Sequence, residues 1–244
     1  RDRFRQMTTK KRKRKKESKE EGKKENELNS IEASSQSGQS GNSISSIVDE
    51  KINDENVLWL GTYGGLVRLN LGNGESQRYL KKENEPSSII SNEINKMIKD
   101  RSGVIWMATE NGISSISPKG MKFNNFFNMV NGSEEFDDLL KINVKSITQH
   151  HDGKLLIGTS KGVYNFDNSD KKHLIQKYKS TDGINVWSMA NGASDDIWIG
   201  TYGQGLKQLN LKNGNLKDWK IESPTFKTSA FDYIKSLYLD KNNN

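Results

Sequence analysis

The side chains that could do chemistry in this 244-residue chain are few. It has three histidines and no cysteine, which removes thiolate nucleophiles, disulfides and thiolate metal sites together. Two of the histidines are adjacent, and His150-His151-Asp152-Gly153 reads as a turn. A metal would need ligands converging on them from several strands, and the pair is expected to be two exposed turn residues. His173 follows Lys171 and Lys172 in another expected turn. The nucleophile elbow G-x-S-x-G, the phosphate loop and the H-E-x-x-H zinc helix are absent. The glycines of Gly61-Thr62-Tyr63-Gly64-Gly65 lack dinucleotide spacing and precede no helix. Asn131-Gly132-Ser133 fits a glycosylation sequon by coincidence. Glu110 and the tyrosines are the candidates for acid–base work, and no pair of them recurs. These residues point to binding rather than reaction, with no metal and no cofactor.

What does recur is a phrase. Leu58-Trp59-Leu60-Gly61-Thr62 returns as Ile105-Trp106-Met107-Ala108-Thr109, as Leu156-Ile157-Gly158-Thr159 and as Ile197-Trp198-Ile199-Gly200-Thr201. The threonines are 47, 50 and 42 residues apart, a period that marks an array of one supersecondary unit. Twelve residues before the Trp position stand Ile94, Val144 and Val186; three later come Met97, Ile147 and Met189. A polar turn follows each pair, then the Trp strand, then a second Gly-bearing turn and another apolar run.

Short runs of Val, Ile, Leu and Trp bounded by Asp-Gly, Asn-Gly and Gly-Gly read as antiparallel hairpins. Asn73-Gly74 and Asn213-Gly214 fit type I′ turns, and Tyr79, Phe126, Tyr178 and Trp219 fall in an expected fourth strand. Four strands at this period make a β-propeller blade. Sustained helical spacing is absent, which excludes helix-pair solenoids. The expected fold is all-β: an incomplete propeller over residues 44–244, of four blades and the start of a fifth. Trp59, Trp106 and Trp198 are expected to be buried between blades, and Thr62, Thr109, Thr159 and Thr201 to make one recurring strand-to-strand bond.

These residues resemble the two-component regulator propeller repeat, whose core runs as an apolar pair, D-x-x-G, L/I-W-I/L-G-T, a Gly turn and G-L-x-R/K-L/Y-N/D. Ile197 to Asn210 follows it closely, and Leu58 to Asn70 and Ile105 to Ile116 follow it well; Leu155 to Phe166 departs, with Leu156 at the Trp position. The resemblance implies the sensor portion of a bacterial membrane receptor. Its implied partners are an oligosaccharide-type ligand and a histidine kinase, diguanylate cyclase or DNA-binding output module outside this chain. A membrane-anchored, extracytoplasmic location and a receptor dimer are implied with them.

Propeller ligands meet loops, because the strands are fixed scaffold. If the first strand of each unit lines the channel, two loop sets share one face. One set precedes that strand and contains Asn92, Asn143 and Asn185, with Trp187 just inside. The other follows the Thr and contains Tyr63, Glu110, Asn111, Lys161, Tyr202 and Gln204. Amides, aromatics and a few charges suit polyhydroxylated ligands. Turn composition alone also places Asn, Gly and Tyr at such positions.

The net charge of +7 belongs to one tail. Residues 1–30 hold 13 Lys/Arg and 6 Asp/Glu, leaving 25 of each in the remainder. The run Lys10-Lys11-Arg12-Lys13-Arg14-Lys15-Lys16 is expected to be disordered and could face an anionic membrane surface. Residues 31–43, rich in Ser and Gly, are expected to be a linker. No run approaches eighteen apolar residues and the start lacks the apolar core of a signal peptide. Ile234 to Asp240 restarts the repeat, placing the next Trp position two residues past Asn244. The chain is therefore expected to be a fragment of a larger ring, exposing Leu58, Leu66, Ile197 and Leu209 on its terminal faces and self-associating in isolation. Besides the sensor, two readings stand: a propeller lyase or hydrolase acting on polysaccharide, and a passive protein-interaction scaffold.

Overall fold

The computed structural model describes residues 41–118, 122–126, 143–166, 175–221 and 232–238. The basic tail, residues 31–40 of the linker, Asn131-Gly132-Ser133 and His173 lie outside the described residues. The chain divides into residues 1–43 and 44–244, and every described strand belongs to the second unit.

Among the described residues, sixteen strands build that unit. The first sheet is β1 (Ile44–Ile52), β2 (Glu55–Thr62), β3 (Gly65–Asn70) and β4 (Ser76–Tyr79). The second is β5 (Ile94–Lys99), β6 (Ile105–Thr109), β7 (Gly112–Ser117) and β8 (Lys122–Asn125). The third is β9 (Val144–Gln149), β10 (Leu155–Thr159), β11 (Gly162–Phe166) and β12 (Ile175–Lys177). The fourth is β13 (Val186–Asn191), β14 (Asp196–Thr201), β15 (Leu206–Asn210) and β16 (Leu216–Trp219). Each sheet is an antiparallel meander in chain order. Among the described residues there is no α-helix; a 3-10 turn spans Lys179–Thr181. The first strands of successive sheets pack beside one another, β1 on β5, β5 on β9 and β9 on β13, so these four strands are the inner strands of a propeller.

Alternation along the strands sends apolar residues to both faces of each sheet, and the core is accordingly three layers, one between each pair of neighbouring sheets. Val57, Trp59 and Leu66 of the first sheet pack on Ile94, Met97, Ile105, Met107 and Ile116 of the second. Trp106 of the second packs with Ile147, Ile157 and Phe166 of the third. Leu156 and Val163 of the third meet Val186, Met189, Ile197 and Leu209 of the fourth. The Trp position of each sheet thus faces the next sheet. The residue two after it sits against the next inner strand and must be small. A Cβ on Gly158 would come 2.5 Å from Val186 Cγ1, and one on Gly61 would come 2.8 Å from Ile94 Cγ2.

This parity corrects three expectations. Trp59 and Trp106 are fully buried, but Trp198 is only half-buried. It faces away from the third sheet and has Trp219 against it, ring centroids 5.2 Å apart. Leu66, Ile197 and Leu209 are buried completely, because their strand positions point into layers the chain already fills. On the opposite face of the first sheet stand the exposed Ile47 and its half-buried cross-strand partners Leu60 and Val67, and Leu58 is half-buried as well. Finally, Gly74 and Gly214 have positive φ while Asn73 and Asn213 do not. These connections are wider loops closed by the Gly74 N–H to the Asn70 carbonyl and the Gly214 N–H to that of Asn210. The two-residue hairpin with positive φ at both positions is Asn53-Asp54.

Two motifs of the repeat have a visible cause. Each threonine hydroxyl donates to a glycine carbonyl across its hairpin: Thr62 to Gly65, Thr109 to Gly112, Thr159 to Gly162 and Thr201 to Gly205, at 2.7–3.0 Å. It also accepts the N–H of Gly64, Asn111, Lys161 or Gln204. In the second sheet Asp100 Oδ1 accepts the N–H groups of Ser102 and Val104, and its Oδ2 accepts Trp106 Nε1–H at 2.7 Å. One carboxylate therefore shapes the turn and anchors the tryptophan.

Candidate functional site

A meander places the turns after its first and third strands at one end, and the turn after the second strand, with the link to the next sheet, at the other. Tyr63, Glu110, Asn111, Lys161, Tyr202, Gln204, Asn92, Asn143 and Asn185 therefore all lie at the same end of their sheets. The inner strands carry a further device there. Each loses register by one residue at its second position: between Ile44 and Ser46, Ile94 and Lys96, Val144 and Ser146, and Val186 and Ser188. The unpaired residues are Ser45, Asn95, Lys145 and Trp187. A β-bulge re-aims a side chain, and here it does so at equivalent places on four inner strands.

At the junction of the second and third sheets, Asn95 Nδ2–H donates to Asn143 Oδ1 at 3.0 Å and to the Val144 carbonyl at 2.8 Å. Burial pushes the Lys145 amine below its ordinary value, while the nearby Glu110 and Glu93 carboxylates work to raise it. Among the described residues no carboxylate lies within ion-pair distance of it. At the fourth sheet, Trp187 packs against Tyr202 with centroids 4.5 Å apart, and Tyr202 meets Tyr233 edge-on at 4.9 Å. Lys235 Nζ stands 5.5 Å from the Trp187 ring. Tyr202 and Tyr233 are 47% and 56% exposed. Gln204 Oε1 accepts the Asn185 N–H at 3.1 Å, which ties the turn after β14 to the start of β13.

The remaining candidates do not join one cluster. Asn92 Oδ1 accepts the Lys81 N–H at 2.7 Å and so holds the connection between the first two sheets. Asn111 lines an open depression of about 580 Å³ with Lys81, Ile89 and Asn125. Tyr63 is half-buried in its turn and Lys161 is exposed. Four residues of this end lie outside the sequence-derived set: Asn95, Lys145, Tyr233 and Lys235. Their only signal is positional, since Ser45, Asn95, Lys145 and Trp187 follow the first apolar residue of each unit.

The expectation of two exposed histidines is also corrected. His151 is exposed, but His150 is 2% exposed, because its ring turns into the junction between the third and fourth sheets.

The class that this architecture defines is the β-propeller of four-stranded blades. The family model described as two component regulator propeller matches residues 88–111, the end of the first inter-sheet link and the first two strands of the second sheet. Among solved structures the chain is similar to the extracellular domain of the putative hybrid two component system BT4673 from B. thetaiotaomicron, at 19% identity and a TM-score of 0.65, over 82% of this chain and 25% of that one. It is similar to a streptogramin B lyase at 14% identity and a TM-score of 0.56, over 82% of this chain and 60% of the other. Virginiamycin B lyase from Staphylococcus aureus follows at 14% and 0.51, over 74% and 56%. The chain spans about a quarter of the length of the first of these, and identities this low speak for the fold alone. No curated protein matches the sequence. Among the described residues no helix is long and apolar enough to cross a membrane.

Proposed function

We propose that this propeller is the ligand-sensing part of a bacterial signal-transduction receptor and that its ligand is an oligosaccharide. The observation that carries the reading is the wall of Trp187, Tyr202 and Tyr233 at the loop end of the fourth sheet. Flat aromatic surface covers the C–H faces of a sugar ring, and amides such as Asn143, Asn185 and Gln204 match hydroxyls that both donate and accept. The acidic and basic groups at the same end of the sheets, Glu110 and Lys145, hold no nucleophile–base arrangement of the kind covalent catalysis uses, which favours binding over reaction. The signal would pass to an output domain in the remainder of a larger, membrane-anchored and dimeric protein, with the propeller outside the cytoplasm. Lys10 to Lys16 would meet the anionic membrane surface.

Titration calorimetry of the chain against a panel of plant, host and microbial oligosaccharides tests this. At least one should bind, and Trp187→Ala should weaken it about tenfold or more, the loss of one central aromatic contact. Absence of binding across the panel, or full affinity in Trp187→Ala, would overturn the reading.

A further inference from the structure

The third sheet departs from the repeat at two linked positions. Gly153 matches Gly103, so His150 stands where Asp100 stands, and Leu156 stands where Trp106 stands. In the second sheet the carboxylate at this position holds the tryptophan indole. In the third there is no indole to hold, and the side chain there is an imidazole turned elsewhere.

His150 is 2% exposed. Its Nε2 lies 3.1 Å from the Ser194 carbonyl of the next sheet. A carbonyl only accepts, so Nε2 carries the proton and donates. With that proton on Nε2, a neutral ring would offer the Nδ1 lone pair to a cation. That nitrogen is buried and forms no well-aligned hydrogen bond; the Asp152 carboxylate stands 3.0 Å from it, and, against the upward push of desolvation, the Lys154 N–H together with this ring holds that carboxyl down at about 2. The His151 ring stands beside, centroids 3.7 Å apart, and Asp195 arrives from the turn after β13. Donor atoms of His150, His151 and Asp195 lie within 4.8 Å of one another.

The surroundings hold these groups from several sides. Arg101 of the second sheet donates from Nη1 to the His151 carbonyl at 2.7 Å. The Leu211 N–H donates to the Asp195 carbonyl at 2.8 Å, and Ser194 takes a positive φ of 52° to bring its carbonyl to the ring. A histidine that gives one ring N–H to a backbone carbonyl is held in a fixed orientation, as metal-ligating histidines are.

We propose that His150, His151 and Asp195 bind a divalent transition-metal ion of the zinc type. Two imidazoles and a carboxylate suit zinc, nickel or copper rather than magnesium or calcium. Bonds of about 2.0–2.2 Å require the donors to draw together by roughly 1–1.5 Å, which the exposed His151 and the half-buried Asp195 can do by rotation. The ion would tie the turn after β9 to the turn after β13. It would sit at the end of the sheets opposite the aromatic wall, so the proposal stands independently of the oligosaccharide reading.

The test is calorimetry with zinc on the EDTA-treated chain, repeated with nickel, beside 15N spectra of the histidine rings. One ion should bind per chain with a dissociation constant in the micromolar range or below, and the Nδ1 resonance of His150 should move on zinc addition at pH 7.5. His151→Ala and Asp195→Asn alter side chains outside the core and should each weaken zinc by about tenfold or more while leaving the metal-free melting temperature unchanged. Zinc binding that persists undiminished in the double variant, or a His150 ring that responds to protons and not to zinc, would overturn the proposal.

Discussion

At the residue scale, the repeat is a set of polar bonds rather than a set of shapes. The buried Thr109 hydroxyl gives its proton to Gly112 and takes that of the Asn111 N–H. Thr109→Val keeps the volume and strands both partners, so it should cost about 1–3 kcal/mol in a urea melt, while Thr109→Ser should cost less than half of that. Lys145 argues in the other direction. Its folded pKa is depressed by burial, so the charged amine disfavours the fold at neutral pH, and the penalty fades as pH rises through the folded and then the unfolded value. Lys145→Met should therefore raise the melting temperature by a few degrees at most near pH 7, with the gain shrinking toward pH 11. The bulge in β9 thus holds a partly desolvated amine at the loop end. A lower melting temperature for Lys145→Met at pH 7 would contradict that expectation. The threonines were visible in the sequence because they recur at one offset. The Asp100–Trp106 bond was not, since it joins residues six apart whose meeting depends on the turn between them.

At the element scale, sheet-on-sheet packing decides what each position tolerates. Trp106 fills the layer between the second and third sheets with Phe126 and Phe166 around it. Its truncation to Ala should cost about 3–5 kcal/mol, whereas Trp198→Ala, half-buried against Trp219, should cost about 1–2 kcal/mol. Gly158→Ala drives a methyl into Val186 across the layer and should cost about 1–3 kcal/mol by overpacking, although Ala108 is accepted at the matching place in the second sheet. Urea midpoints for the three variants check the ranking, and an equal loss at Trp106 and Trp198 would contradict the layer assignment. The sheets themselves were legible because four units agree in spacing. Which face each strand position took was not, because period-2 alternation leaves two choices until the neighbour is known. That is why Leu66, Ile197 and Leu209 proved buried. The bulges were invisible for a related reason, as a one-residue register loss has no composition.

At the scale of the whole molecule, the first and fourth sheets each keep one partly bare face. Ile47 is 56% exposed in the row it shares with Leu60 and Val67, and Trp219 is 40% exposed beside Trp198. Bare apolar sheet faces associate. The chain should show rising mass in light scattering as its concentration increases, and Ile47→Lys with Trp219→Lys should suppress that rise without lowering the melting temperature. Scattering that stays monomeric at high concentration would show that these faces find cover within the chain.

The proposed oligosaccharide meets the loop end of the sheets at Trp187. Five tryptophans make this contact directly testable by 19F NMR of the chain labelled with 5-fluorotryptophan, titrated with the tightest oligosaccharide from the panel. Trp187 belongs to the exposed wall, while Trp59 and Trp106 are sealed between sheets. The Trp187 resonance should move on saturation while those of Trp59 and Trp106 stay in place. Saturation that leaves Trp187 unmoved, or that moves the two buried resonances instead, would contradict it.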